Sequence, residues 1–252
     1  MPRVPMPTAP GRTRRRLIVS AGLGLSVIFS GSAAVHAQEA ASPVSSPAAT
    51  DAGIDGTWAI DTEIGDFSDY SSSWAGFRVA EVLQGLGDVF AVGRTPVVSG
   101  SLQAEGSTIQ SAVIEVDLTS ITSDQSRRDP AIQRALDTVT FPTAVLETRG
   151  PVDLGAVPLD GEPFSVTVPA TLTIRDTSQD VDIELTGQRV GDVVVVVGTL
   201  PVDFTSFGVT MPTAPVVLSV ADKGDLEWQL FFRRQAEPAA SGQAVPSPAP
   251  GG

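Results

Sequence analysis

From residue 112 to residue 232 the dominant hydrophobic period of this chain is two. Ala112, Ile114, Val116 and Leu118 are apolar, while Glu115 and Asp117 point the other way. Val166, Val168, Ala170, Leu172 and Ile174 alternate with Thr167, Thr171, Thr173 and Arg175. Val181, Ile183 and Leu185 alternate with Asp180, Asp182 and Glu184, and Val216, Leu218, Val220 and then Leu226, Trp228, Leu230, Phe232 continue the pattern. Successive strand side chains point to opposite faces, so each run predicts a strand with one buried and one wetted face, as in antiparallel sheets. Turn signals separate them at Glu105-Gly106, Asp176 to Gln179, Gly191-Asp192 and Lys223-Gly224-Asp225. Val193 to Val197 is a continuous apolar run, which fits either a strand buried on both faces or high-propensity filling. About eight strands at this spacing predict an all-β sandwich or up-and-down barrel. Closure removes aggregation-prone edges, and an eight-stranded barrel has room for packed side chains or one small ligand.

One segment breaks the period. Ser126 to Ala144 reads as a short helix of about residues 130–137, with Asp129 placed to cap it and Pro130 to start it. Ile132 and Leu136 are four apart and share a face. Phe141-Pro142 ends the segment.

The ends of the chain differ in composition. Arg12, Arg14, Arg15 and Arg16 precede an apolar run from Leu17 to Phe29, and Val35-His36-Ala37 fits a small-x-small cleavage site. Residues 1–37 thus read as an export signal. Thr13 to Ile18 also resembles a twin-arginine signal, and an uncleaved anchor is a third alternative, although Gly22, Gly24, Ser26 and Ser30 weaken it as a span. Residues 38–53 read as a flexible linker, 54–234 as the folded domain and 235–252 as a disordered Pro/Ala/Gly tail. Removing residues 1–37, which hold five arginines and no acid, leaves 11 basic against 29 acidic residues, a net charge near −18. Such a surface repels nucleic acid and anionic lipid headgroups. Association with a membrane is expected only through an uncleaved N-terminal anchor. The single histidine, His36, falls in the signal, and there is no cysteine. That removes Ser-His-Asp and Cys-His catalysis, His or Cys metal sites and disulfides from the exported product. Neither a cofactor nor a metal is expected.

Several motifs, in order, are similar to those of the YceI-like family of exported, lipocalin-like proteins that bind polyisoprenoids. They are Trp58-Ala59-Ile60-Asp61, Gly76-Phe77-Arg78-Val79, Val98-Ser99-Gly100-Ser101-Leu102 and Arg128-Asp129-Pro130-Ala131-Ile132. Phe141-Pro142, Ala170-Thr171-Leu172-Thr173-Ile174 and Asp203-Phe204-Thr205-Ser206-Phe207-Gly208-Val209 complete the set. The resemblance covers residues 56–233. It implies an antiparallel, lipocalin-like barrel of about eight strands, an apolar tunnel, a helix at one end and a threaded isoprenoid or quinone-like lipid.

The side chains expected to line that tunnel are Ile114, Val116, Leu118, Leu146, Leu172, Ile174, Ile183 and Leu185 from the strands, with Ile132 and Leu136 from the helix. Phe77, Phe204, Phe207, Leu218, Trp228 and Leu230 join them. Trp74 is a further aromatic with equal claims to ligand contact and to filling. Arg128 and Asp129 fit a headgroup site less well than a mouth charge and a helix cap. The acid pairs Asp180/Asp182 and Glu115/Asp117 lie on polar strand faces, where solvation explains them better than glycosidase-type chemistry does. The expectation is therefore lipid binding without catalysis. Its competitors are a packed, ligand-free interaction module of the cell surface or periplasm and, behind that, a carboxylate hydrolase. Exposed edges of a partly open barrel leave a homodimer open.

Overall fold

The structure, a computed structural model, describes residues 53–236. The expected export signal, all of the linker but Gly53, and the tail beyond residue 236 lie outside the described residues.

Among the described residues there are twelve strands in one antiparallel sheet. They are β1 (Gly56–Ile60), β2 (Trp74–Leu83), β3 (Gly87–Thr95), β4 (Val98–Glu105), β5 (Thr108–Asp117) and β6 (Thr122–Ser123). Then follow β7 (Thr143–Thr148), β8 (Val152–Asp153), β9 (Pro163–Ile174), β10 (Thr177–Val190), β11 (Val193–Asp203) and β12 (Val217–Arg234). A single helix, α1 (Asp129–Leu136), joins β6 to β7.

The twelve strands fill only eight positions in the wall. β1 and β2 both run antiparallel to β12, β1 against Phe232 to Arg234 and β2 against Val217 to Gln229. They are one position interrupted by residues 61–73. Likewise β3 and β4 share a position beside β2 and β1, β5 and β6 share the next, and β7 and β8 both lie along β5. β9, β10, β11 and β12 each fill a position alone. The pairing of β1 with β12 closes the ring into an eight-stranded antiparallel barrel. β10 has 14 residues, so at about 3.3 Å per residue it spans about 45 Å. The wall is tall enough for an elongated interior.

Local chemistry explains the turns. β10 and β11 are joined by Gly191-Asp192, with Gly191 at φ 59°, a conformation that costs glycine nothing. Two turns of one design close the helix end. Asp117-Leu118-Thr119-Ser120 and Asp203-Phe204-Thr205-Ser206 each form a 3-10 turn capped by the aspartate. Asp117 accepts from the Thr119 N–H at 2.7 Å and its hydroxyl at 2.6 Å, and Asp203 accepts from Thr205 at 3.1 and 2.6 Å. Each turn then drops its apolar residue, Leu118 or Phe204, into the core.

Two expectations are corrected here. Asp129 is not the helix cap. Arg128 holds that position without a side-chain cap bond, and Asp129 is the first helical residue. Its carboxylate instead accepts from the Ser123 N–H at 2.9 Å and hydroxyl at 2.7 Å, which ties β6 to the helix. Leu218, expected inside, is 66% exposed. β12 shifts register against β2 between Val217 and Ser219 and again between Val220 and Gly224, so strict alternation does not carry through that stretch. The run Val193 to Val197 resolves into a lumen face, Val194 and Val196, and an outer face that leaves Val197 exposed.

The charges set a pH dependence. A hydrogen bond from Arg233 holds Asp61 below the ordinary carboxylate range. Burial pushes Asp117 upward, but the bonds from Thr119 and Ser120 outweigh it and leave that group lowered too. Bonds from Ser68 and Thr205 lower Asp66 and Asp203. A carboxylate depressed in the folded state stabilises the fold above its unfolded pKa, and that stability is lost as pH falls through the folded value. Residues 53–236 contain no histidine or cysteine to titrate near neutrality. The melting temperature is therefore expected to be flat between about pH 6 and 8 and to fall below about pH 4. Melting curves across that range check it, and a step near pH 6.5 contradicts it.

Candidate functional site: an apolar lumen in three chambers

The inward faces of the strands do not fill the barrel. Three cavities follow one another along the axis. The helix-end chamber, about 370 Å³, lies between α1, β2 and the segment from Val209 to Val220. The middle chamber, about 120 Å³, shares Phe77, Leu136 and Phe204 with it. The far chamber, also about 120 Å³, shares Ile114, Leu146, Ile183, Trp228 and Leu230 with the middle one. An apolar cavity of about 150 Å³ stays dry and takes up one benzene. Each inner chamber thus suits a short branched hydrocarbon segment, and the series suits a chain of them. Gly198 makes room for the wall itself: it stands opposite Trp228, and a Cβ there would lie 2.4 Å from the indole.

The sixteen side chains expected in the lumen divide as follows. Val116, Leu118, Leu172 and Ile174 line the middle chamber, Leu185 the far one and Ile132 the helix-end one. Phe77, Ile114, Leu136, Leu146, Ile183, Phe204, Trp228 and Leu230 are the shared residues just named. Phe207 is buried in the core beside the helix end but borders none of the three chambers. Leu218 is outside. Trp74 lies on the outer surface, where the Arg94 guanidinium sits 4.3 Å from its ring centroid.

The sequence pattern had read the far chamber only in part. Trp58, Phe164, Val194 and Phe232 border it, and Trp58 is only 1% exposed. Glu81 was also missed. It lies on β2 in the inward series Phe77, Val79, Glu81, Leu83 and is 4% exposed at the helix-end chamber. A lone acid at an inward position of an alternating strand is the signal that marks it.

The acids weighed as a hydrolytic pair do not converge in the lumen. Asp180 and Asp182 are on the outer face, paired with Arg149 at 3.1 and 3.5 Å. Asp117 is committed to its turn. Among the described residues no group of three or more His, Cys, Asp or Glu side chains is placed to hold a metal ion.

Comparison with curated proteins found no match. A polyisoprenoid-binding domain from Saccharophagus degradans, implicated in plant cell wall breakdown, has a similar structure: TM-score 0.52, 20% identity, covering 65% of this chain and 98% of that one. BcnA of Burkholderia cenocepacia aligns with TM-score 0.47 at 17% identity over 66% of this chain and 98% of its own. The YceI protein of Campylobacter jejuni aligns with TM-score 0.45 at 13% identity over 57% and 85%. The sequence model of the YceI-like domain matches residues 58–232, a span that runs from the closing strand β1 through every wall position to the last lumen residue of β12. A closed eight-position barrel, one helix at its end and a family match over that whole wall identify the chain as a member of the YceI-like family.

Proposed function

We propose that this protein is a non-enzymatic carrier that holds one long apolar lipid, an isoprenoid or quinone-like molecule, along the barrel axis, and that it works outside the cytoplasm. The observation that carries the proposal is the series of adjoining chambers that share their walls, lined almost throughout by hydrocarbon. A packed structural module has no use for such space, because unfilled apolar cavities cost stability. Each isoprene unit buried there contributes a few kcal/mol, from which the cost of ordering the chain is subtracted. Family membership supports the reading, as does the polyisoprenoid-binding domain that shares the fold. The arginines and apolar run of residues 12–37 support export.

The test is native mass spectrometry of the protein, expressed with its export segment in a bacterial host and purified without detergent. The expected result is a stoichiometric adduct that leaves on denaturation and is identified by extraction as a polyprenyl or quinone lipid. A bare mass, together with failure to take up added isoprenoids, overturns the carrier reading and leaves a packed interaction module.

A further inference from the structure

The helix-end chamber is apolar except at one corner. There Glu81, 4% exposed, meets Arg128, whose side chain is 14% exposed. The Arg128 guanidinium donates through Nη2 to Glu81 Oε1 and through Nη1 to Asp124. Only Glu81 Oε1 receives that bond; among the described residues Oε2 has no protein donor, and it is not one of the fully enclosed unpaired atoms, so it faces open space. Gln125 and Arg127 border the same corner. A buried carboxylate in an apolar wall is costly unless paired, and a hydrophobic side chain at that position packs at lower cost. The ion pair does anchor the segment before α1 to β2, but an anchor alone leaves the free Oε2 unexplained.

The charges at this corner cancel. Arg127 and Arg128 face Glu81 and Asp124, and Arg128 is already shared by both carboxylates. No surplus positive charge is left for a phosphate, and an anion seated here meets the desolvated Glu81. A hydroxyl fits: its proton can go to Oε2, and its oxygen can accept from an arginine N–H. If the barrel carries a lipid as proposed above, we infer that this corner seats the head group and selects an uncharged, hydroxyl-bearing head over a phosphorylated one. The tail then runs inward past Phe77 and Leu136 to the middle and far chambers.

The test uses the full chain stripped of lipid and three probes with one tail: geranylgeraniol, geranylgeranyl diphosphate and the tetraprenyl hydrocarbon without a head group. The alcohol is expected to bind about tenfold or more tighter than either, since the hydrocarbon gives Oε2 no donor and the diphosphate opposes its charge. Glu81→Gln is expected to raise diphosphate affinity about tenfold by removing that opposition, with the hydrocarbon unchanged. The head-group assignment is overturned if the wild-type protein binds the diphosphate as tightly as the alcohol, or all three equally, while the carrier reading stands. It also falls if Glu81→Gln folds and leaves the diphosphate affinity where it was. Should that variant not fold, the wild-type ranking decides alone. Failure of all three probes to bind removes the carrier reading and the head-group site together.

Discussion

Ala144→Phe is expected to empty the barrel of long-chain lipid while leaving it folded. Ala144 lies on β7, is 9% exposed, and borders the middle chamber with Leu172, Phe204 and Trp228. The substitution adds a phenyl ring, the volume of one benzene, to a cavity of about 120 Å³. The ring therefore fills the chamber that lies between the helix end and the far chamber. A lipid confined to the helix end loses the burial of four or more methylene equivalents, at about 0.8 kcal/mol each, which corresponds to about two-hundredfold or more in affinity. The fold tolerates the change because the ring enters existing space. Added burial offsets the strain of about 1–3 kcal/mol that overpacking brings to a filled core. Ala112→Phe works on the far chamber instead, and should shorten the longest chain accepted rather than abolish binding. Lipid-to-protein ratio by native mass spectrometry, read beside the melting temperature, separates the two carriers of blame. Stoichiometric lipid retained by Ala144→Phe shows that the chain does not pass the middle chamber. A large loss of stability with no change in lipid content shows that the chamber is part of a solid core.

Much of this lumen was legible because its chemistry is one-sided. Along Val166 to Ile174, Val181 to Leu185 and Leu226 to Phe232 the period of two separates hydrocarbon inside from a mostly polar face outside, and no bulge interrupts the β9–β10 pairing. The shared positions in the wall were less legible. β1 and β2 act as one position, but residues 61–73 intervene, and no local pattern reveals that both lie on β12. Leu218 failed for a related reason: register shifts in β12 break the alternation that its neighbours obey. Asp129 failed because a side chain suited to a cap found stronger donors in Ser123. The paired Asp-x-Thr-Ser turns at 117–120 and 203–206 went unread, and their position at one end of the barrel depends on topology. Glu81 belongs to the same class. Its sequence context shows an acid on an apolar face, and only the packing of the segment before α1 against β2 supplies Arg128.

Trp58→Ala is expected to cause the largest loss of stability of any single truncation in the wall. Trp58 is 1% exposed, and its indole N–H donates to the Ile54 carbonyl at 2.8 Å. The Arg234 guanidinium lies 4.5 Å from its ring centroid and donates to the carbonyls of Gly53 and Asp55. The residue also sits on the seam. Trp58 is registered with Leu102 on β4 and with Arg234 on β12, and β1, only five residues long, is the strand through which the ring closes. Truncation removes the buried ring, leaves a cavity continuous with the far chamber, and strips the stacking that holds Arg234 over the seam. Large-to-small changes of this kind cost about 3–5 kcal/mol. For a domain of this size that lowers the melting temperature by about 10 °C. Trp58→Phe keeps most of the packing and gives up the bond to Ile54, so a loss of about 1 kcal/mol is expected. Trp74→Ala serves as the contrast, since its ring is on the outer surface and its loss opens no cavity in the lumen. The comparison belongs on lipid-stripped protein, because a ligand bound only to the folded state raises the melting temperature by mass action and masks the difference. If stripped Trp58→Ala melts within about 2 °C of the parent, less than 1 kcal/mol rests on this side chain, and the seam is held by the backbone ladder rather than by the indole.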